Sequence, residues 1–292
     1  MTLVVGYAAL KGDVAPLQLA ATLARSAGQD LLVVTMVPAP WPTPTARAAD
    51  REFEAWAQEQ GQQTAAAAQQ VLAEFCSDIP ARAVAVPGKS EAATLIDQAI
   101  EVDASMIVVG SGHDGAWGSV VLSSTADRLL HSSSIPVAVA TRGFRAPEDA
   151  RVTRATCAFR GDEASIAVLT RTAAICAEVG AALRVVTFGV RGKTMYPPEV
   201  IGEDDILAAY VQDTGALQDR AVADLGALRP SDVETTVATG RNWSEALDSL
   251  DWDRGDVLVV GSSTASLMQR LFLGSTATKI VRSSPVPVIV VP

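Results

Sequence analysis

The sequence predicts an α/β protein of two repeated three-layer domains, each a five-stranded, mainly parallel sheet with helices on both faces. Three observations carry that expectation. The chain nearly repeats itself: "ASMIVVGSGHDGAWGSVVLSSTADRLLHSSSIPVAVA" is answered by "GDVLVVGSSTASLMQRLFLGSTATKIVRSSPVPVIVV". Gly110 matches Gly261, Ser124 matches Ser275 and Pro136 matches Pro287, each pair 151 positions apart without a gap, which marks a tandem duplication. Short apolar runs alternate with helical periods, as in a parallel sheet covered on both sides. The 292 residues, 49% hydrophobic and 5% aromatic, are enough for two cores in which alanine-rich helices lie close on a sheet.

In the first half "TLVVGY" reads as a buried strand, followed by a helix over "APLQLAATLARSAG" that Gly28 closes. "DLLVVTMV" is the second strand, and a stretch holding Pro38, Pro40, Pro42 and Pro44 follows it. The Ala/Gln-rich run from Ala46 to Phe75 predicts a long helix, and "ARAVAVPG" a third strand ending at Gly88. Ser90 is an N-cap for a helix over "SEAATLIDQAIEV". "ASMIVVG" and "IPVAVA" complete the set of five.

The second half repeats the order, with strands "RATCAF", "ALRVVTFGV", "VETTVATG", "DVLVVG" and "VPVIVV". Its helices fall on "EASIAVLTRTAAICAEVG", "EDDILAAYVQDTGALQDRAVADLG" and "WSEALDSL". "TRGFRAPEDAR", rich in turn residues and charge, is the linker, so the domains span 1–144 and 150–292, with a separate sheet expected in each. The last strands are short, apolar and preceded by Pro136 and Pro287. Exposed edges of that kind invite pairing, and a twofold arrangement is the common solution, so the halves should pack as an internal pseudo-dimer.

Composition excludes several function classes. A net charge of −10 argues against non-specific nucleic-acid binding, which needs clustered Lys and Arg. No apolar run approaches the ~18 residues of a membrane span, and "MTLVVGYAAL" has no basic leader, so a cytoplasmic protein is expected. Cys76, Cys157 and Cys176 form no CxxC pair and read as buried small hydrophobes. The two histidines, His113 and His131, have no carboxylate or cysteine at ligand spacing, so no metal is expected. No nucleophile and general base can be assembled around them, which ranks an enzyme last. His131 should interact with its helix C-terminus.

In parallel sheets, ligands bind beyond the carboxyl ends of strands. There each half carries a strand, a Gly/Ser loop and a hydroxyl-bearing helix start: Gly110, Ser111, His113, Ser123 and Ser124, then Gly261, Ser262, Thr264, Gly274, Ser275 and Thr276. Glycine lets backbone approach an anion, the helix start presents free N–H groups, and hydroxyls add donors. A turn that merely lets the helix pack on the sheet would look much the same.

With these elements the chain resembles a tandem universal stress protein over almost all of both halves. The resemblance implies a strand order of 3-2-1-4-5, a G-x2-G-x9-G-[ST] nucleotide loop after the fourth strand, an aspartate after the first, and a terminal V-x-V pairing strand. That strand is present at Val137 to Val139 and at Val288 to Val290. In the first loop Gly110 is in register, but His113 and Ser123 stand at the next two glycines, before Ser124. The second loop has Gly261, then Thr264, and keeps Gly274 and Ser275. Ala8 and Arg160 stand at the aspartate position.

A Cβ in place of glycine crowds a phosphate cradle, Ala8 cannot accept a hydrogen bond, and Arg160 reverses the charge. The resemblance therefore implies ATP as the ligand, bound weakly or not at all, and better in the second half. Two readings stay open: a stress protein with degenerate nucleotide sites acting mainly through protein partners, and an ATP binder, even a slow ATPase, using the second-half site. A homodimer of chains is implied in either case. Trp41, Pro42 and Pro44 in one half, and Arg191 and Lys193 in the other, lie beside the expected mouths.

Overall fold

The computed structural model describes residues 1–7, 13–39, 47–112, 114, 116–190, 203–262 and 273–292, with backbone only for 47–51, 54 and 203–206. The first half contains β1 (Thr2–Gly6), α1 (Ala15–Ala27), β2 (Asp30–Pro38), α2 (Arg47–Phe75), β3 (Ala81–Gly88), α3 (Glu91–Glu101), β4 (Met106–Val109), α4 (Ser124–Ser132) and β5 (Val137–Val139). The second contains β6 (Arg154–Ala158), α5 (Glu163–Val179), β7 (Ala182–Val190), α6 (Glu203–Ala223), β8 (Val233–Gly240), α7 (Trp243–Asp248), β9 (Asp256–Gly261), α8 (Ser275–Ser283) and β10 (Val288–Val291).

The strand order is β3-β2-β1-β4-β5-β10-β9-β6-β7-β8. Each half thus has the 3-2-1-4-5 order, and all pairings within a half are parallel. The expectation of two separate sheets is corrected at the centre. β5 and β10 pair antiparallel, Val137 opposite Val290 and Val139 opposite Val288, so the two sheets become one of ten strands. Two short apolar edges with unmet backbone groups satisfy one another.

The duplication extends to individual hydrogen bonds. Thr35 Oγ1 donates to the Tyr7 carbonyl at 3.0 Å, and Thr187 Oγ1 to that of Phe159 at 2.9 Å. Ser133 and Ser284 each donate to a carbonyl two residues on. Helices α1 and α5 both stop at a left-handed glycine, Gly28 (φ 60°) and Gly180 (φ 71°), a conformation that costs glycine no Cβ clash.

Alternating strand residues feed two apolar layers. Leu3 and Val5 face α1 and α2, whereas Val4 faces α3 and α4; in β9, Val257 and Val259 join the first layer and Leu258 and Val260 the second. Both layers run through the two halves without interruption. Residues Ala15 to Arg25 of α1 are all buried. The linker covers this helix: the Ala146 amide donates to Gln18 Oε1, the Val152 amide to Ser26 Oγ, and Arg151 to the Arg25 carbonyl.

Candidate functional site

At the carboxyl ends of β6, β7 and β9 a cavity of about 710 Å³ opens. Its floor is Val260, Gly261 and Ser262; its walls are the starts of α5, α7 and α8 and one side of α6. The Ser262 amide donates to the Val291 carbonyl at 2.8 Å, which holds the end of β9 against the central strand. A Cβ on Gly261 would come within 3.0 Å of Val168 Cγ2, so glycine lets α5 lie close above the strand end. Trp243, with its ring centroid 6.3 Å from that of Phe188, joins Tyr210 in an aromatic wall.

Gly274 is the N-cap of α8 and supplies no side-chain cap. The amides of a first helical turn have no intrahelical partner, and here they open on the cavity beside Ser275 and Thr276. Thr278 Oγ1 donates to the Gly274 carbonyl at 3.0 Å, pinning the turn from its far side. Opposite, Arg160 Nε donates to Asp162 Oδ2 at 2.7 Å, while Asp162 Oδ1 caps α5 through the Ser165 amide at 2.9 Å. Partial burial pushes the Asp162 carboxyl up. The Ser165 amide, the Arg160 guanidinium and the Ser165 hydroxyl outweigh burial and hold it below the usual aspartate value. Among the described residues, the one carboxylate on the cavity wall is thereby neutralised by a neighbouring cation.

The corresponding region of the first half is tied to itself. Ser111, buried, donates to the Val121 carbonyl at 3.0 Å and accepts from the Val121 amide at 2.6 Å. The Gly112 amide donates to the same carbonyl at 2.7 Å. Ser123 caps α4, its Oγ accepting from the Ala126 amide at 3.1 Å, and Ser124 is exposed on the first turn. Thr125 donates to Glu91 at 2.6 Å. Asp13, whose Oδ1 caps the Ala15 amide at 3.0 Å, stands where a Cβ on Gly110 would meet it at 3.3 Å.

The structure therefore gathers Gly261, Ser262, Gly274, Ser275 and Thr276 around one cavity and places Ser111 and Ser123 in internal bonds. Ala8, Trp41, Pro42, Pro44, His113, Arg191, Lys193 and Thr264 lie outside the described residues. His131, in the last turn of α4, has Nδ1 at 2.7 Å from the Asp127 carbonyl. Sequence reasoning missed Asp13, Asp162, Glu91, Thr187, Tyr210 and Trp243. The two aspartates were findable as caps directly ahead of helices; the other four come from elements remote in sequence. Among the described residues no group of three or more His, Cys, Asp or Glu could hold a metal, and no helix is long and apolar enough to cross a membrane.

A family model described as the universal stress protein family matches residues 1–141 and again 152–292. The chain belongs to the universal stress protein family. Universal stress proteins of Mycobacterium tuberculosis and Mycobacterium bovis are 38% identical over 294 residues, covering 100% of this chain and of theirs. Among solved structures, a universal stress protein from Archaeoglobus fulgidus matches with a TM-score of 0.59 at 16% identity, covering 99% of this chain and 97% of that one. A putative universal stress protein from Pseudomonas aeruginosa matches with a TM-score of 0.56 at 14% identity, covering 99% and 92%. At those identities the structural likeness is one of fold: the doubled universal stress protein arrangement, one domain after the other.

Proposed function

We propose that this universal stress protein binds an adenine nucleotide such as ATP in the second-half cavity, and that its first half, over residues 1–144, is a degenerate counterpart. The observation that supports this reading best is the contrast at two equivalent helix starts. Ser123 occupies an amide of α4 with its own side chain, whereas Gly274 leaves α8 without a side-chain cap at the mouth of a cavity. About 710 Å³ lies within the ~300–1,000 Å³ of ligand pockets, and the aromatic wall suits a base. Ser275, Thr276 and the helix-start amides would hold phosphate oxygens. Arg160 replaces the family's aspartate with a positive charge.

Each well-placed bond lost should cost about 1–3 kcal/mol, so two or three defects move micromolar binding past millimolar. Calorimetry with ATP tests this on the wild type, Gly274→Val and Ser124→Ala. Gly274→Val should abolish the heat of binding and Ser124→Ala should leave it intact. Equal losses from both, or loss from Ser124→Ala alone, would refute the assignment.

Association with a further protein is favoured by a separate observation. Helix α1 is buried under the linker, but its counterpart α5 leaves Ile166 and Ile175 46% and 47% exposed. A second copy of the chain is the expected partner. Sedimentation of the wild type against Ile166→Lys/Ile175→Lys would reveal it as a dimer lost in the variant; two monomers would end this reading.

A further inference from the structure

We propose that Glu91 acts with the Ser123 cap to close the first half to anions, its carboxylate standing where a ligand phosphate would, an assignment that rests on the reading of the second-half cavity as an anion site. Glu91 is the first residue of α3, and its Oε2 accepts a 2.6 Å bond from Thr125 Oγ1 in the first turn of α4. Thr125 matches Thr276, whose side chain lines the second-half cavity and has no hydrogen-bond partner among the described residues. Glu91 matches Trp243: each follows the N-cap of the third helix of its half, Ser90 or Asn242, just after a strand that ends in glycine. One helix start meets a fixed negative charge; the other meets an indole and open space.

The chemistry favours the resident group. The free amides of a first turn attract negative charge. A carboxylate already attached to the chain gives up little freedom in standing beside that turn, where it accepts from Thr125, whereas a dissolved anion loses its translation and rotation. A dissolved anion would also have to displace Glu91 or settle beside a like charge. The contact links α3 to α4 as well, so the closed state is part of how these two helices pack.

Glu91→Gln removes the charge while keeping the size and the ability to accept from Thr125. Glu91→Asp keeps the charge. Calorimetry and phosphorus NMR would count pyrophosphate bound per full-length chain for the wild type and both variants, with thermal melts to verify folding and Glu91→Ser as a second neutral variant. Glu91→Gln should bind one equivalent more than the wild type, and Glu91→Asp the same number as the wild type. Adding Gly274→Val to Glu91→Gln should leave the gained equivalent in place. An unchanged count in both neutral variants, an equal gain with Glu91→Asp, or a gain erased by Gly274→Val would overturn the role of Glu91. A wild type that binds none would refute the second-half site, and the count for Glu91→Gln would still decide for or against Glu91.

Discussion

Arg184 and Asp256 face each other 3.8 Å apart at the amino ends of β7 and β9, their side chains only 2% and 1% exposed. Arg154 adds a 2.5 Å bond to the same carboxylate oxygen, and the Arg184 guanidinium lies 4.8 Å over the Trp252 ring. Burial pulls the Arg184 pKa down, with the positive charge of Arg154 adding to it. Removing one partner of a buried pair leaves an uncompensated charge. Asp256→Ala should therefore cost about 3–5 kcal/mol in urea denaturation. Replacing both residues, Arg184→Met with Asp256→Leu, should recover part of that, since Arg154 still loses its carboxylate partner. A double variant no more stable than the single one would show that the cluster works otherwise.

The central junction should govern cooperativity. The Ala140 amide donates to Val109 in β4, so by alternation the Val139 amide faces Val288 in β10. Val139→Pro removes that donor in mid-sheet and leaves a buried acceptor unmet, at a cost of about 1–3 kcal/mol. The wild type, with apolar layers continuous through both halves, should unfold in one transition, and Val139→Pro in two. A single transition merely shifted in the variant would mean the halves are coupled elsewhere.

The cap on α5 should respond to acid. Asp162 has its pKa lowered in the folded state, so its contribution is present above the unfolded value near ~3.9 and is lost as pH falls through the folded one. Its side chain is 40% exposed, and solvent screening keeps the effect to a fraction of about 1 kcal/mol. Asn also caps helices well, so Asp162→Asn isolates the charge. The variant should be slightly less stable at pH 7 and equal to the wild type near pH 3, by denaturant midpoints. A difference that persists unchanged into acid would point away from the carboxylate.

The thiols should be inert in the native protein. Burial pushes Cys76 and Cys176 up to about 11 and Cys157 up to about 12, and the thiolate is the reactive form. Labelling with a thiol reagent at pH 7.5 should therefore track global unfolding, rising with urea along the same curve as ellipticity. Fast labelling of any one cysteine without denaturant would contradict this.

The repeat made the fold legible because each strand and helix start is written twice at a constant spacing, and Gly274 with Ser275 stood out on the same ground. The joined sheet was only half visible: apolar Val137–Val139 and Val288–Val290 announce sticky edges, but edge pairing is what turns two sheets into one. Glu91 and Trp243 were illegible for a different reason. Glu91 bonds Thr125, some 30 residues on, and Trp243 lines a cavity with the start of α8, as far away in sequence, and local pattern carries no trace of such neighbours. That the Ser111 and Ser123 hydroxyls bond the chain's own backbone was not legible, because a hydroxyl in a glycine loop looks the same whether it faces a phosphate or its own backbone.

The antiparallel meeting of β5 and β10 makes the chain a two-rimmed object. Every strand of one half runs opposite to every strand of the other, so their carboxyl ends point to opposite margins of the common sheet. The finish of β5 and the start of β6 fall on the same margin, which is why a connection as short as 140–153 suffices. A small molecule lodged by α8 and anything gripping the tip of α4 would therefore meet the protein from contrary directions. Neither would crowd the other, and whatever passes between them must travel through the shared ladder at the centre.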